Sequence, residues 1–180
     1  LNRKGKEFSG ALSRLMPVYL EGIEVWKKTK LYPDANGTLR FNYGRVKGYS
    51  PRDAVEYRYL TSLSGVVEKQ TGKFPFNNPE KLLDIYRKKD FGTYVDKNIN
   101  DVPVNFLTDN HSTGGNSGSP VLNGRGELIG LLFDGNYEAM SSDYYFDPEI
   151  TRSINVDIRY VLFIAEKVDK ALNVLEELTI

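Results

Sequence analysis

The sequence contains no cysteine and only one histidine, His111, among its 180 residues. The missing thiols exclude disulfides, thiolate zinc ligands and cysteine nucleophiles. The single histidine excludes a polyhistidine metal site, and a histidine base for catalysis must be His111 or come from outside this sequence. Because 24 basic side chains balance 24 acidic ones, the broad positive surface that nucleic-acid binding needs is also missing.

Long hydrophobic runs are absent as well. Charged residues such as Glu166 and Lys167 interrupt the most apolar stretch, so no segment reaches the ~20 apolar residues of a membrane span. The sequence starts at Leu1 without a basic leader and an apolar core, so no signal peptide is visible. We therefore expect one soluble globular domain with a small appendage, cut from a longer protein.

The first half of the sequence predicts a helix followed by strands. Apolar residues three and four positions apart over the first thirty residues indicate an amphipathic helix, which Pro17 should kink or divide. Alternating and β-branched residues predict strands over 38–49 and 55–67. A short helix is expected over 78–89, with Asn78 as its N-cap and a proline at its first helical position.

The second half predicts short strands and a final helix. The strands are expected at residues 102–107, 119–122, 128–133 and 152–156, and the helix at residues 158–178. Asn-Gly-Arg-Gly at 123–126 indicates a hairpin, since Asn and Gly tolerate positive φ. Many short strands with a terminal helix favour a β-barrel or sandwich over a parallel α/β sheet.

The stretch at residues 113–120, Thr-Gly-Gly-Asn-Ser-Gly-Ser-Pro, carries the chemistry. A nucleophilic serine needs a tight turn that exposes its hydroxyl and aims backbone N–H groups at an oxyanion. The stretch resembles the Gly-Asp/Asn-Ser-Gly-Gly/Ser-Pro motif of chymotrypsin-clan serine peptidases. This resemblance implies that Ser117 is the nucleophile and that the amides of Gly115 and Ser117 form the oxyanion hole. Ser112 and Ser119 are expected to satisfy backbone groups of the turn.

Other uses of the glycines and the nearby acids fit poorly. A phosphate-binding loop would need a lysine and a helix start that are missing here. Asp143, Asp147 and Glu149 lack the ligand spacing of a calcium loop, which favours solvated carboxylates. We therefore expect no cofactor and no metal.

His111 lies only six positions before Ser117. Chain length alone does not prevent contact between the two side chains. In chymotrypsin-like folds, however, the histidine comes from the other barrel, far upstream. We expect His111 to be an exposed loop residue, and the general base and its carboxylate to belong to an N-terminal barrel outside this sequence.

Asp134 ends the apolar strand that follows the hairpin. Locally, it could cap a turn or hold a substrate ammonium by a charge-assisted hydrogen bond. Segments 32–36, 51–55, 113–122, 133–136 and 153–163 together resemble the C-terminal part of bacterial dipeptidyl-peptidases of the 7 and 11 types.

The resemblance implies a fold that is mainly β with flanking helices. Residues 1–30 would end an α-helical insertion domain, and residues 31–180 would form a chymotrypsin-like C-terminal β-barrel with a closing helix. It further implies a periplasmic or cell-surface serine exopeptidase of a Gram-negative bacterium that releases dipeptides from free N-termini. No position here matches the family's catalytic histidine and aspartate, so we expect this piece to be inactive alone.

The resemblance also implies roles for two residues next to each other. Asp134 would help to bind the substrate α-ammonium. Family members that prefer Asp or Glu as the second substrate residue carry an arginine at the next position, where this sequence has Gly135. A glycine leaves volume and no charge, which predicts a hydrophobic second residue, as in the dipeptidyl-peptidase 7 type.

Two other functions stay open. The serine motif alone does not exclude a trypsin-like endopeptidase, and a non-catalytic barrel could bind peptides along a strand edge. The expected partners are peptides with a free N-terminus and the missing N-terminal barrel of the same protein, with a second copy of the chain as an alternative.

Overall fold

The computed structural model describes residues 3–31 and 39–178. The chain folds into two units, Leu1–Phe41 and Asn42–Ile180. The α-helices of the described residues are α1 Arg3–Lys27, α2 Leu63–Glu68, α3 Glu80–Lys88, α4 Ile158–Phe163 and α5 Leu172–Glu177. The strands are β1 Tyr49–Arg52, β2 Val55–Tyr57, β3 Leu60–Ser62, β4 Pro103–Thr108, β5 Pro120–Leu122, β6 Leu128–Gly135 and β7 Ser153–Asp157.

The first unit contains α1. The predicted amphipathic helix is confirmed, but its division at Pro17 is wrong, because α1 continues through the proline. Proline removes one helical hydrogen bond, and the helix-forming residues on both sides carry the helix across that gap. The assignment of residues 1–30 to an insertion domain stays a prediction. Segment 32–36, which supports the family resemblance, lies outside the described residues.

The second unit is built on a five-stranded antiparallel sheet in the order β3-β4-β7-β6-β5. Strands β1 and β2 form a separate antiparallel hairpin, and Val46 bridges Thr108 at the end of β4. The predicted class, mainly β with flanking helices, is confirmed. The hairpin predicted at residues 123–126 joins β5 to β6.

The first two predicted strands are largely wrong. Of the segment 38–49, the described residues contain only the bridge at Val46 and the start of β1. Among these residues, backbone pairing before β1 is limited to bonds from the Lys47 amide to the Leu107 carbonyl and from the Asp109 amide to the Arg45 carbonyl, and a side chain also takes part. The Asp109 carboxylate accepts a hydrogen bond of 2.6 Å from the amide of Arg45. Segment 55–67 divides into β2, β3 and α2. The carboxylate of Asp101 accepts the Ser64 amide at 3.0 Å, which stabilises the first turn of α2.

The helix boundaries also differ from prediction. Pro79, not Asn78, is the N-cap of α3, and the Asn78 side chain donates to the carbonyl of Val66 at 3.2 Å. The single helix expected over 158–178 is interrupted. After α4, the chain continues as a π-helical stretch, Ile164–Asp169, which ends at the left-handed Lys170 before α5 begins. In a π-helix, hydrogen bonds join residues five positions apart. Phe163 and Val168, which are five positions apart, are both buried.

The hydrophobic core lies between β4 and the helices. Its buried members come from α2, α3, β4 and the residue just before it, α4 and the π-helical stretch, namely Leu63, Leu82, Val102, Val104, Phe163 and Val168. The completely buried Phe163 ring is surrounded by Phe91, Tyr94 and Tyr160, with centroid distances of 6.1 to 6.4 Å. This core anchors β4, which pairs with β7, and β7 in turn pairs with β6.

Candidate active site

The turn that carries Ser117 is held by its own backbone and by β6. Asn116 closes it locally: its side-chain Oδ1 accepts the Thr113 amide at 2.9 Å, and its carbonyl accepts the Ser119 amide at 3.0 Å. The Gly118 amide donates to the carbonyl of Leu132 in β6 at 2.7 Å. Gly115 and Gly118 have φ of +97° and +84°, a region that residues with a Cβ rarely adopt. The glycines are therefore required by the turn.

Some amides of this turn are left available for a ligand. Among the described residues, the amides of Gly114, Gly115 and Ser117 donate to no acceptor, whereas those of Asn116 and Gly118 do. Unpaired amides in a tight turn are the groups from which an oxyanion hole is built. The two amides predicted for this role are thus in the available set.

The Ser117 side chain is exposed and points back to the sheet. Its Oγ donates to the carbonyl of Phe133 at 3.3 Å. Phe133 is the extra residue of a β-bulge, because Leu132 pairs with Asn155 and Asp134 pairs with Ile154. A bulge turns the following side chains to the other face of the strand. Asp134 is therefore exposed, although strict alternation with the buried Leu132 would direct it into the core.

Ser117, Asp134 and Gly135 line one cavity of about 220 Å³. Its other lining residues come from the serine turn, from β6 and from the segment after β6: Ser112, Thr113, Gly114, Leu132, Phe133, Asn136, Ala139, Met140, Ser142 and Asp143. Gly115 belongs to the same turn but does not line the cavity. The structure thus brings together three of the four residues predicted from the sequence.

One carboxylate oxygen of Asp134 accepts a hydrogen bond from the protein itself. Oδ1 accepts the Gly135 amide at 2.8 Å. Among the described residues, Oδ2 has no hydrogen-bond donor. This arrangement fixes the carboxylate and leaves an oxygen for a cationic ligand.

Gly135 is tightly enclosed by the segment that follows it. A Cβ added at this position would lie 2.9 Å from the Cβ of Ala139. The glycine therefore allows the short 3₁₀ turn Tyr137–Ser141 to pack directly against the end of β6. Any larger residue requires this turn to move.

The charged side chains among the described lining residues of the cavity are all acidic. Asp134 and Asp143 contribute carboxylates, and the described lining residues include no lysine, arginine or histidine. An acidic ligand side chain in this cavity would meet negative charge without a cation to compensate it. The wall is otherwise formed by apolar and small polar groups.

His111 is half-buried, so the prediction of an exposed histidine is wrong. Its ring packs edge-on against Phe146 with a centroid distance of 5.1 Å. Its carbonyl accepts the side-chain amide of Asn42 at 2.7 Å. The neighbouring Ser112 bonds through its Oγ to the Oγ of the buried Ser153 at 2.7 Å, not to backbone of the turn as expected.

Sequence reasoning missed Asn136, which lines the cavity, and Arg152, which bonds to it without lining the cavity. The Asn136 amide donates to the Arg152 carbonyl at 2.9 Å, and the Arg152 amide donates to Asn136 Oδ1 at 2.8 Å. Arg152 is 1% exposed. No short motif marks such a pair, because the two residues are sixteen positions apart and use backbone groups.

Neither a metal-binding cluster nor a helix that could span a membrane is found in the part of the chain that the structure describes. The described residues contain no group of three or more His, Cys, Asp or Glu side chains placed to hold a metal ion. Within the same residues, no helix has both the length and the apolar character needed to cross a membrane.

An antiparallel β unit with a glycine-rich turn that presents a serine above a cavity is the arrangement of a serine peptidase. The chain belongs to the peptidase S46 family, whose model matches residues 1–180.

Several relatives are similar over nearly the whole chain. The Asp/Glu-specific dipeptidyl-peptidase of Shewanella putrefaciens is 46% identical over 96% of this chain and 27% of its own length. Dipeptidyl-peptidase 7 of Phocaeicola vulgatus is 50% identical over 92% of this chain and 23% of its own length. The chain thus spans about a quarter of the length of these curated relatives.

Solved structures give the same result. A crystal structure of Porphyromonas endodontalis DPP11 in complex with the dipeptide Arg-Glu superposes with a TM-score of 0.88 and 42% identity. The match covers 95% of this chain and 25% of that chain. A second, in complex with the dipeptide Arg-Asp, has a TM-score of 0.79 and 46% identity over 83% of this chain and 21% of that chain.

Proposed function

We propose that this chain is the nucleophile-bearing part of a serine dipeptidyl-peptidase that releases dipeptides from free N-termini. The observation that carries the proposal is that Ser117 and Asp134 line the same cavity. A nucleophile and an anionic group that line one cavity can select a peptide bond at a fixed distance from an α-ammonium. Membership of the peptidase S46 family supports the same conclusion.

In the proposed mechanism, Ser117 Oγ attacks the carbonyl carbon of the second peptide bond. A histidine from the part of the protein outside this chain takes the hydroxyl proton and gives it to the leaving amine. The amides of Gly115 and Ser117 stabilise the tetrahedral oxyanion. Water then hydrolyses the acyl-enzyme and regenerates Ser117, which releases the dipeptide. This division of roles implies that the isolated chain is inactive.

Asp134 binds the substrate N-terminus, so that the second peptide bond lies at Ser117. Its fixed carboxylate accepts a charge-assisted hydrogen bond from the α-ammonium. A blocked N-terminus removes the positive charge and adds an acyl group, so acetylated peptides should be poor substrates. A trypsin-like endopeptidase would not make this distinction.

The second substrate residue is proposed to be hydrophobic. The Asp/Glu-specific dipeptidyl-peptidase of Shewanella putrefaciens and the DPP11 complex with the dipeptide Arg-Glu indicate that the family also includes enzymes with specificity for an acidic residue. Here, the described lining residues carry no basic side chain, and Gly135 adds neither charge nor bulk. An uncompensated carboxylate in this cavity is costly, whereas apolar contact with Met140 and Leu132 is favourable.

The location and the partners follow from the same assignment. We propose that the whole protein is periplasmic or attached to the surface of a Gram-negative bacterium, where it meets peptide substrates. Fractionation of the native cells with an antibody to this chain tests the location. Recovery with cytosolic markers would contradict it.

The central experiment uses the full-length protein and a pair of serine variants. Ser117→Ala should abolish dipeptide release and labelling by a serine-directed phosphonate. Ser119→Ala is the matched control, because it removes a hydroxyl from the same turn, two residues away, and should retain both. A Ser117→Ala protein with normal dipeptide release would overturn the proposal, and a wild-type protein that resists the phosphonate would favour a non-catalytic peptide-binding barrel.

A second pair of variants tests Asp134. Asp134→Asn should lower kcat/KM for free N-termini by about tenfold or more, as expected for the loss of a charge-assisted bond. Asp143→Asn removes the other carboxylate of the cavity and should preserve the preference for free over acetylated peptides. If Asp134→Asn also preserves this preference, Asp134 does not bind the ammonium.

A further inference from the structure

Arg152 is buried behind the cavity and has an unusual set of partners. Its guanidinium donates five hydrogen bonds, all to backbone carbonyls. Two bonds of 3.0 and 3.1 Å go to Gly48, next to β1, and the other three go to residues of the segment just before β7: Pro148, Glu149 and Thr151. The charge also lies 5.7 Å from the centroid of the Tyr49 ring.

This guanidinium holds one end of a segment that forms the cavity wall. Residues 137–151 connect Asn136, just after β6, to Arg152, just before β7. Between these ends, the segment supplies Ala139, Met140, Ser142 and Asp143 to the lining. The position of this wall therefore depends on how its two ends are fixed.

Asn136 fixes the other end and is bonded to Arg152 directly. Besides the two backbone bonds to Arg152, its side-chain nitrogen donates to the Ile150 carbonyl at 2.7 Å and to Glu138 Oε2 at 2.9 Å. The hydroxyl of Tyr49 donates to the same Glu138 oxygen at 2.9 Å. Arg152, Asn136, Glu138 and Tyr49 thus form one connected network, hereafter the wall anchor.

We infer that Arg152 is a positioning residue that sets the shape of the cavity through the wall anchor, and thereby the size of the second substrate residue. This inference rests on the proposed function for its substrate, but its structural part does not. The planar, forked guanidinium uses its five donors to bond four carbonyls from two separate segments at once. A lysine supplies only three donors, all from a single atom, and therefore cannot bond all four carbonyls.

The test compares Arg152→Lys with Arg159→Lys in the full-length protein. Arg159 is the matched control, because it is also a hydrogen-bonded arginine. Its partners Asp157 and Asp96 do not line the cavity. Hydrogen exchange needs no substrate and therefore tests the wall anchor even if the proposed function fails. Exchange of the amides in residues 137–147 should increase about tenfold or more in Arg152→Lys, and stay unchanged in Arg159→Lys.

Kinetics with dipeptide substrates complete the test. For Arg152→Lys, the ratio of kcat/KM between a bulky and a small second residue should change by about threefold or more, mainly through KM. Arg159→Lys should keep this ratio, even if it lowers thermal stability. Equal exchange of the wall segment in the two variants overturns the inference, and so does increased exchange with an unchanged ratio.

Tyr49→Phe keeps the inference testable if Arg152→Lys does not fold. It removes only the hydroxyl that bonds Glu138 and leaves the ring below the guanidinium. Exchange of residues 137–147 and the substrate ratio should change in the same direction by a smaller factor. No change in either measurement counts against the wall anchor.

Discussion

The hydroxyl of Ser117 bonds the carbonyl of Phe133, the residue that bulges out of β6. One backbone irregularity therefore both supports the serine and turns Asp134 out toward the cavity. In the proposed mechanism, the hydroxyl leaves this carbonyl for the histidine when a substrate binds. The serine turn and Asp134 are thus connected through a single residue of the strand.

The three glycines of the serine turn should respond differently to alanine. None of Gly114, Gly115 and Gly118 has a heavy atom within 4 Å of an added Cβ, but only the last two have positive φ. Gly115→Ala and Gly118→Ala should therefore each cost roughly 1–2 kcal/mol of local conformational strain. Both should lower the rate of phosphonate labelling, measured as a second-order rate constant.

Gly114→Ala is the control for this prediction, since it adds the same methyl group to ordinary backbone. It should keep the labelling rate of the wild-type protein. Equal losses for all three variants would mean that the methyl group, and not the backbone conformation, disturbs the turn.

Gly135→Arg should move substrate preference toward acidic second residues. The guanidinium would supply the cation that the described cavity wall lacks. The new Cβ also collides with Ala139, so the single variant should lose total activity. Specificity is measured as the ratio of kcat/KM for substrates with Glu and Leu at the second position.

Gly135→Arg combined with Ala139→Gly separates the two effects. The smaller residue removes the opposing methyl group, so activity should partly recover while the acidic preference remains. If the double variant still prefers Leu, charge in this cavity does not determine specificity.

Asp96 should contribute to stability in a pH-dependent manner. The hydrogen bond from Arg159, followed by the amide of Asn98, lowers the pKa of Asp96 below its usual value. A lowered pKa in the folded state means that the stabilisation is present above the unfolded pKa, near ~4, and is lost as the pH falls through the folded value. Asp96→Asn should therefore lower the Tm at pH 7, and the difference from the wild type should shrink in acid.

Thermal unfolding across this pH range is the measurement. Arg159→Met should produce a similar loss at neutral pH, and the double variant should lose less than the sum of the two single variants. A Tm difference that stays constant from neutral pH to well below pH ~4 would contradict the assignment.

Phe163→Ala should be strongly destabilising. The ring is completely buried among three aromatic rings, so its removal leaves a cavity that the neighbours cannot fill. The expected loss is about 3–5 kcal/mol in the free energy of unfolding, measured by denaturant titration. Val174→Ala, in the half-exposed helix α5, should cost much less.

Much of the fold follows from local patterns in the sequence. The alternation and turn residues of β4 to β7 predicted four strands within about two residues, because β4, β6 and β7 contain buried residues and a hairpin turn fixes β5 beside β6. The same patterns failed at residues 39–45 and at the C-terminal helix. There, long-range partners such as Asp109 and the core around Phe163 decide the backbone conformation.

The sequence by itself determined the family resemblance, the serine turn and the glycines that this turn needs, since these depend on residues close together in the chain. Only the tertiary structure decided which groups share the cavity. Asp134 is exposed at the cavity that Ser117 lines because of a bulge that no residue pattern marks, and Arg152 bonds Gly48, 104 positions away. Such contacts arise when the chain packs, and their energy comes from burial and hydrogen bonds between distant segments.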